Sequence, residues 1–321
     1  MNWALFRWVW QLEGPLYVGM PPAGSLNRTR LYVPARTLWG ALTAELARRE
    51  TAQGKEPQYQ LVGECLKKDY RFTYLFPAQK IGAAWMAWLP RYERGLCWQR
   101  EDATVPFVNE RSFRRRLLST RPGTAIDATT DAADEGTLRE TECIQTRWRN
   151  DRGQDEGPVA MLGYVFIRVR KAKAKAKDKY PSERMRLDSI DTLFVGGDTR
   201  YGLGRLRRAS FELADKNAFG QQVTLDQADP IVNTSSVWAH ARAASVESGA
   251  LLSGALELVS GWDCGAIRSL DSTEPMWQPG SALTASEWTI LTRTEPGRSG
   301  TEIRRRDVDT AVRMCPACWP R

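Results

Sequence analysis

Aromatic and branched side chains crowd the run Trp3-Ala-Leu-Phe-Arg-Trp-Val-Trp-Gln-Leu12. Such crowding predicts a β-strand, and Gly14-Pro15 ends it. Residues 20–30 hold Pro21, Pro22, Gly24 and Asn27 and read as a loop. Pro34 then stands where a helix begins, and Leu38, Ala41, Leu42 and Leu46 recur at helical spacing with Arg48 and Arg49 in the last turn. Residues 58–77 predict a short helix followed by a strand, and the apolar run 81–89 fits either type. Met161 to Val169 is a clear strand. Residues 182–193 predict a helix that turns Met185, Leu187, Ile190 and Leu193 inward, and Leu206 to Leu213 reads as a strand.

Between these elements lie three polar stretches. Arg111-Ser-Phe-Arg-Arg-Arg116 is a dense basic cluster, read as a solvated face that also suits phosphate. Residues 123–142 are acidic, small and turn-rich, which predicts a loop or hairpin projecting from the core. Alternating Lys and Ala over 171–177, with Lys179, cannot bury a core and reads as a solvated loop. After about residue 215 the texture becomes irregular and β-like, so a soft boundary divides 1–214 from a C-terminal extension or second small domain, 215–321.

Composition adds direction to this picture. A net charge of +8 over 321 residues favours polyanions as partners. Several of the thirteen Trp sit beside arginines, as in Arg147-Trp148-Arg149, where they serve either the core or a stacking platform. Six scattered cysteines without a signal-peptide pattern point to reduced thiols and the cytoplasm. No stretch is long enough to cross a bilayer. Cys315-Pro-Ala-Cys318 is half of a zinc site with no second pair at the expected spacing, so no metal or cofactor is expected. The acidic residues Asp127, Asp131, Asp134 and Glu135 lack a calcium-loop pattern. His240 is the single histidine, and the sequence names no partner that would make it an acid or base.

The richest chemistry lies in Leu193-Phe-Val-Gly-Gly-Asp-Thr-Arg-Tyr-Gly-Leu-Gly-Arg-Leu-Arg-Arg208. Gly196, Gly197, Gly202 and Gly204 free the backbone, Arg200 and Arg205 supply charge, and Tyr201 supplies a flat ring. Exposed amides, guanidinium groups and an aromatic face suit a phosphate backbone with splayed bases. The segment lacks both the GxGxxG and GK[ST] patterns, which argues against a nucleotide-cofactor site. Arg36 lies near a helix N-terminus, where amides and dipole already favour an anion.

Three segments of the chain resemble the RAMP superfamily of CRISPR-associated proteins. Leu12-Glu-Gly-Pro-Leu-Tyr-Val-Gly19 leads to Tyr32-Val-Pro-Ala-Arg-Thr-Leu-Trp-Gly-Ala-Leu42 and is similar to the family's first strand, loop and helix start. Ala35 replaces a glycine there, and Arg36-Thr37 replace two serines. Ile126 to Glu142 is similar to the family's "I-D-x-x-T" segment, and Val195 to Leu206 to its terminal glycine-rich loop. The order of the three, over residues 1–210, carries the resemblance.

The resemblance implies an α+β fold with a ferredoxin-like (RRM-like) βαββαβ core and large inserted loops. It implies a subunit of a type III-like effector, with CRISPR RNA, target RNA or DNA and other CRISPR effector subunits as partners. The expected RNA-binding set is Arg28, Arg30, Arg36, Arg114, Arg115, Gly196, Gly197, Arg200, Tyr201, Gly202, Gly204 and Arg205. Target-cleaving relatives carry an aspartate in the first loop, and residues 20–31 hold no acidic side chain here. The favoured expectation is therefore a non-catalytic RNA-binding subunit. The alternatives are an endonuclease using His240, Asp127, Asp131 or Asp198, and a scaffold that touches no RNA.

Overall fold

The run of Trp, Leu and Val near the start of the chain becomes the central strand of the largest sheet. The computed structural model describes residues 3–169, 187–232, 234–242, 252–259, 261–263, 269–271, 275–283, 288–292, 301–305 and 312–313. In chain order the elements are β1 (Trp3–Leu12), β2 (Leu26–Asn27), α1 (Ala35–Glu50), α2 (Tyr59–Asp69), β3 (Tyr70–Phe72), β4 (Phe76–Ile81), β5 (Ala84–Tyr92), β6 (Leu96–Arg100) and β7 (Val108–Asn109). They continue with α3 (Glu110–Leu117), β8 (Leu118–Gly123), β9 (Arg139–Ile144), β10 (Arg147–Arg149), β11 (Asp155–Arg168), β12 (Thr192–Phe194) and β13 (Arg205–Leu213). The protein is thus of mixed α and β type, with mostly antiparallel sheet and few helices among the described residues.

The main sheet runs β12-β13-β1-β11-β4-β5-β6-β7, with β3 and β10 also paired to β11. β1 is antiparallel to β11 from Trp3↔Arg168 to Gln11↔Ala160, and antiparallel to β13 from Phe6↔Leu213 to Leu12↔Leu206. A bulge in β13 leaves Ala209 without a partner between Ser210 and Arg208. Because strands flank β1 on both edges and its two faces are covered, Trp3, Leu5, Trp8, Val9 and Trp10 are all buried. That explains a near-continuous apolar run where a half-solvated strand would alternate.

α1 buries the stripe Ala35, Leu38, Leu42, Leu46 and Ala47, and α2 packs against it through Val62 and Leu66. The run 81–89 resolves into strand, as the hairpin β4–β5. The helix expected over 182–193 is not seen where the chain is described. Residues 187–189 form one 3-10 turn and residues 192–194 are β12, while Met185 and the Lys-Ala run lie outside the described residues. Thr192 to Phe194 pairs with Arg207 to Arg205. That pairing satisfies the backbone in a ladder and overrides the helical spacing of Leu187, Ile190 and Leu193, all of which are buried anyway.

Phe219, Leu225 and Trp238, after residue 214, join the same core. Phe219 meets the rings of Phe76, Tyr164 and Trp238 edge-on at 5.5, 4.9 and 5.1 Å. The Trp3 amide donates to the Leu225 carbonyl at 3.1 Å. Short strands Ala241–Arg242, Met276–Trp277 and Leu256–Glu257 form a small antiparallel sheet. Cys315 and Cys318 lie outside the described residues. Among the described residues no helix is long and apolar enough to cross a membrane, and no group of three His, Cys, Asp or Glu stands together to hold a metal ion.

Candidate nucleic-acid interface

The glycine-rich segment is the connection of the β12–β13 hairpin. It is pinned from behind by the strand exit at residues 13–17. The Gly197 amide donates to the Tyr17 carbonyl at 2.9 Å, and the Gly204 amide to the Pro15 carbonyl at 2.7 Å. Inside the segment the Val195 amide donates to the Gly204 carbonyl, and Thr199–Tyr201 form one 3-10 turn. Gly196 and Gly204 have φ of +87° and +76°. A β-carbon on Gly196 would stand 3.1 Å from the Tyr17 carbonyl carbon and closer still to its oxygen. These two glycines therefore exist for close approach of protein backbone to protein backbone. Gly196 and Gly202 are exposed, and Gly204 is buried, so the loop offers only part of its backbone to a ligand.

The segment 123–142 is a hairpin, as its composition implied. β8 and β9 form its base from Leu118↔Ile144 to Gly123↔Arg139, and an Ile126↔Ala133 bridge closes its far part. Asp127 bonds the Thr129 amide and hydroxyl, which holds its exposed carboxyl below the usual carboxylate range. The Asp127 side chain thus builds a turn.

The hairpin base and the glycine segment enclose a cleft of about 480 Å³. Arg121, Arg139, Thr124, Thr137 and Thr141 line it from the hairpin, and Asp198, Tyr201 and Leu203 from the glycine segment. Tyr201 is 60% exposed. The Arg139 guanidinium carbon lies 5.3 Å from its ring centroid and that of Arg200 5.9 Å. Two cations therefore lie beside one exposed aromatic ring, a combination suited to an anionic strand carrying stackable rings. Sequence reasoning singled out Arg200 and Tyr201 but missed Arg121 and Arg139. Arg121 stands just before the acidic stretch and Arg139 within it, and the available signal was their place on the two arms of the expected hairpin, whose register sets Arg139 opposite Gly123.

The other expected residues separate into distinct surroundings. Arg205 remains 56% exposed beside Glu13 at 2.9 Å, a pair that leaves its charge open to solvent. Arg115 is exposed on α3 and Arg28 is half-buried on the first loop. Arg36 stands half-buried in the first turn of α1, which holds no acidic residue. Arg114 is bound by Glu142 at 2.6 Å and Glu110 at 3.8 Å. Glu142 also accepts from the Thr29 amide at 3.1 Å, so Arg114 fastens the hairpin base to the first loop. Arg30 turns inward, donating to the Gly19 carbonyl and pairing with Glu257, with side-chain exposures of 12% and 6%.

The partner that the sequence could not name for His240 is Glu257. The His240 Nε2 lies 3.1 Å from Glu257 Oε2 and 3.3 Å from the Tyr32 hydroxyl, and Nδ1 lies 2.8 Å from the Tyr74 hydroxyl. Burial pushes the imidazole below its ordinary value, although Glu257 opposes that shift. Burial also works to raise the Glu257 carboxyl, but His240 and Arg30 outweigh it and the carboxyl lies below its ordinary value. The stable arrangement is neutral His240 beside a carboxylate neutralised by Arg30. Burial raises the Tyr32 hydroxyl far above its usual range, with the Glu257 charge adding to it. The network is enclosed, with His240 1% exposed, and it ties the first loop to the residues after 214.

No family model matches the chain, and no curated protein matches it. Among solved structures, it is similar to a chain of the type III-B Cmr-beta complex bound to cognate target RNA and AMPPnP, in state 1. That similarity has 12% identity and a TM-score of 0.48, covering 87% of this chain and 85% of the other. A chain of the Cmr-beta complex bound to cognate target RNA gives 11% identity and 0.35, and one from its apo state 11% and 0.37. Each of these two covers 64% of this chain and 96% of the other.

Proposed function

We propose that this chain is a non-catalytic RNA-binding subunit of a type III-like CRISPR ribonucleoprotein. In this reading it holds CRISPR RNA by its phosphate backbone, packs against neighbouring subunits, and sits beside the target RNA or DNA paired to the guide. The observation that carries the reading is the cleft that brings Tyr201 against Arg139 and Arg200, with Arg121 beside them, between two of the three segments that resemble the RAMP superfamily. Arg205, exposed beside that cleft's glycine segment, extends the basic track. The strand order β13-β1-β11-β4, antiparallel throughout, is the order expected if the core is ferredoxin-like, and it supports the same reading. The described residues after 214 then act as an extension that packs on the sheet.

Fluorescence anisotropy of the purified chain with a single-stranded RNA, across a salt series, tests this proposal. Each phosphate contact on a single strand contributes a slope of about −0.7 in log K against log salt. Arg121, Arg139, Arg200 and Arg205 should together give a slope of roughly −2 to −3. Tyr201→Ala should weaken binding by about 1–3 kcal/mol, the worth of one stacked base. A flat salt dependence, or undiminished binding by Tyr201→Ala, would overturn the reading. RNA cleavage abolished by His240→Ala or Asp127→Ala would overturn its non-catalytic part.

A further inference from the structure

We propose that the cleft between the hairpin base and the glycine segment is a single-nucleotide pocket that selects guanine through Asp198. This rests on the RNA-binding reading and goes beyond it, because backbone contacts alone carry no sequence preference. At about 480 Å³ the cleft falls within the ordinary range of small-ligand sites, about 300–1,000 Å³. Its lining holds cations for a phosphate, Arg121 and Arg139, and a ring for stacking, Tyr201. A phosphate and a stacked ring do not account for Asp198.

Asp198 lines the same cleft, in the left-handed region at φ +54°. Its side chain does not cap the 3-10 turn that follows it. Among the described residues the carboxylate has no hydrogen-bond or ion-pair partner, although Arg121 and Arg139 line the same space. A carboxylate beside a bound phosphate is repelled by it, so its place is at the far end of the nucleotide, toward the base. An ionised carboxylate only accepts hydrogen bonds. The four bases differ sharply in what they offer such an acceptor. Guanine presents two adjacent donors, N1–H and the N2 amino group, to the two carboxylate oxygens. Adenine and cytosine present one amino donor beside an acceptor nitrogen, and uracil presents one N–H between two carbonyl oxygens that a carboxylate repels. Thr124 and Thr137 do not reverse this order. The Thr137 hydroxyl already donates to the Asp134 carbonyl, and Thr124 is bonded to Thr137 at 2.9 Å. A base splayed out of its strand exposes the edge that Asp198 would read.

The test uses the full chain and four uridine decamers whose central residue is G, A, C or U. A bidentate contact discriminates by about 5- to 150-fold, so the G decamer should bind tighter than the U decamer by a factor in that range. Asp198→Asn should erase the preference while leaving the U decamer within about twofold. Asp198→Gly, which suits the left-handed backbone, should do the same and guards against a folding defect in the first variant. Equal affinity for the four decamers overturns the inference and leaves backbone binding intact. A uniform loss across all four in Asp198→Asn also overturns it. If no decamer binds, the RNA-binding reading fails, and 5′-GMP against 5′-UMP decides the pocket by itself. Saturable 5′-GMP binding lost in Asp198→Asn upholds the pocket, and no binding overturns it.

Discussion

Replacing Gly204 by alanine separates the two demands that the glycine segment makes. Gly202 and Gly204 have nearly the same φ, +82° and +76°. Around Gly202 an added β-carbon would find open space. Gly202→Ala should therefore cost only the left-handed penalty, about 1–2 kcal/mol. At Gly204 the β-carbon would stand 3.0 Å from the Val195 carbonyl carbon and 3.3 Å from its amide nitrogen, and closer still to its oxygen. The neighbour is backbone and cannot rotate aside. Relief means pulling apart the Val195 amide–Gly204 carbonyl bond at 2.9 Å, or lifting the Gly204 amide from the Pro15 carbonyl at 2.7 Å. One lost hydrogen bond adds about 1 kcal/mol and the overpacking about 1–3 kcal/mol. Gly204→Ala should thus cost roughly 3–6 kcal/mol, exceeding Gly202→Ala by at least 2 kcal/mol. Urea unfolding followed by tryptophan fluorescence measures both, with an unchanged m-value showing that the difference lies in stability. Equal losses in the two variants would refute the close-approach argument.

Two further outcomes follow from the buried network. Arg30→Ala should destabilise the fold by about 3–5 kcal/mol because it strands the Glu257 carboxylate in a buried site. Arg30→Ala with Glu257→Gln should recover part of that loss, and a single variant as stable as the parent would contradict the pairing. Acid should also weaken the fold. The unfolded chain's histidine takes up a proton as pH falls through about 6.5, while buried His240 resists doing so. The depressed Glu257 carboxyl works with the same sign at lower pH, where its stabilisation is lost. The melting temperature should fall from pH 7.5 to pH 5, and His240→Gln should flatten that fall. A rise on acidification, or an unaltered slope in the variant, would refute the assignment.

Much of the fold was legible because burial leaves a mark on composition. The crowded Trp, Leu and Val of β1, the helical spacing of α1 and the apolar run of β11 all became the elements they predicted. Residues 187–194 misled because an inward Leu187, Ile190 and Leu193 satisfy a helix and a turn-plus-strand equally, and only the β13 ladder decides between them. The cleft was half legible. Tyr201 and Arg200 stood out in one short segment, but Arg121 and Arg139 join them only through a hairpin register. The partner of His240 lay 17 positions away, and Arg30 lay more than 200 residues from Glu257. Contacts of that length leave no local pattern, so the sequence groups Arg30 with the RNA-binding arginines, whereas in the structure it pairs with Glu257.

The position of β1 between β11 and β13 has a consequence for biosynthesis. Its first partner begins at residue 155, some 140 residues after β1 itself is made. At about 5–20 residues per second, the strand would wait on the order of ten to thirty seconds at the ribosome with both edges open. During that interval Trp8 and Trp10 have no sheet to enter, and an unpaired apolar strand invites pairing with other chains. Production of this protein should therefore be sensitive to holding chaperones and to the rate of translation ahead of β11, even though the finished sheet shields that strand on every side.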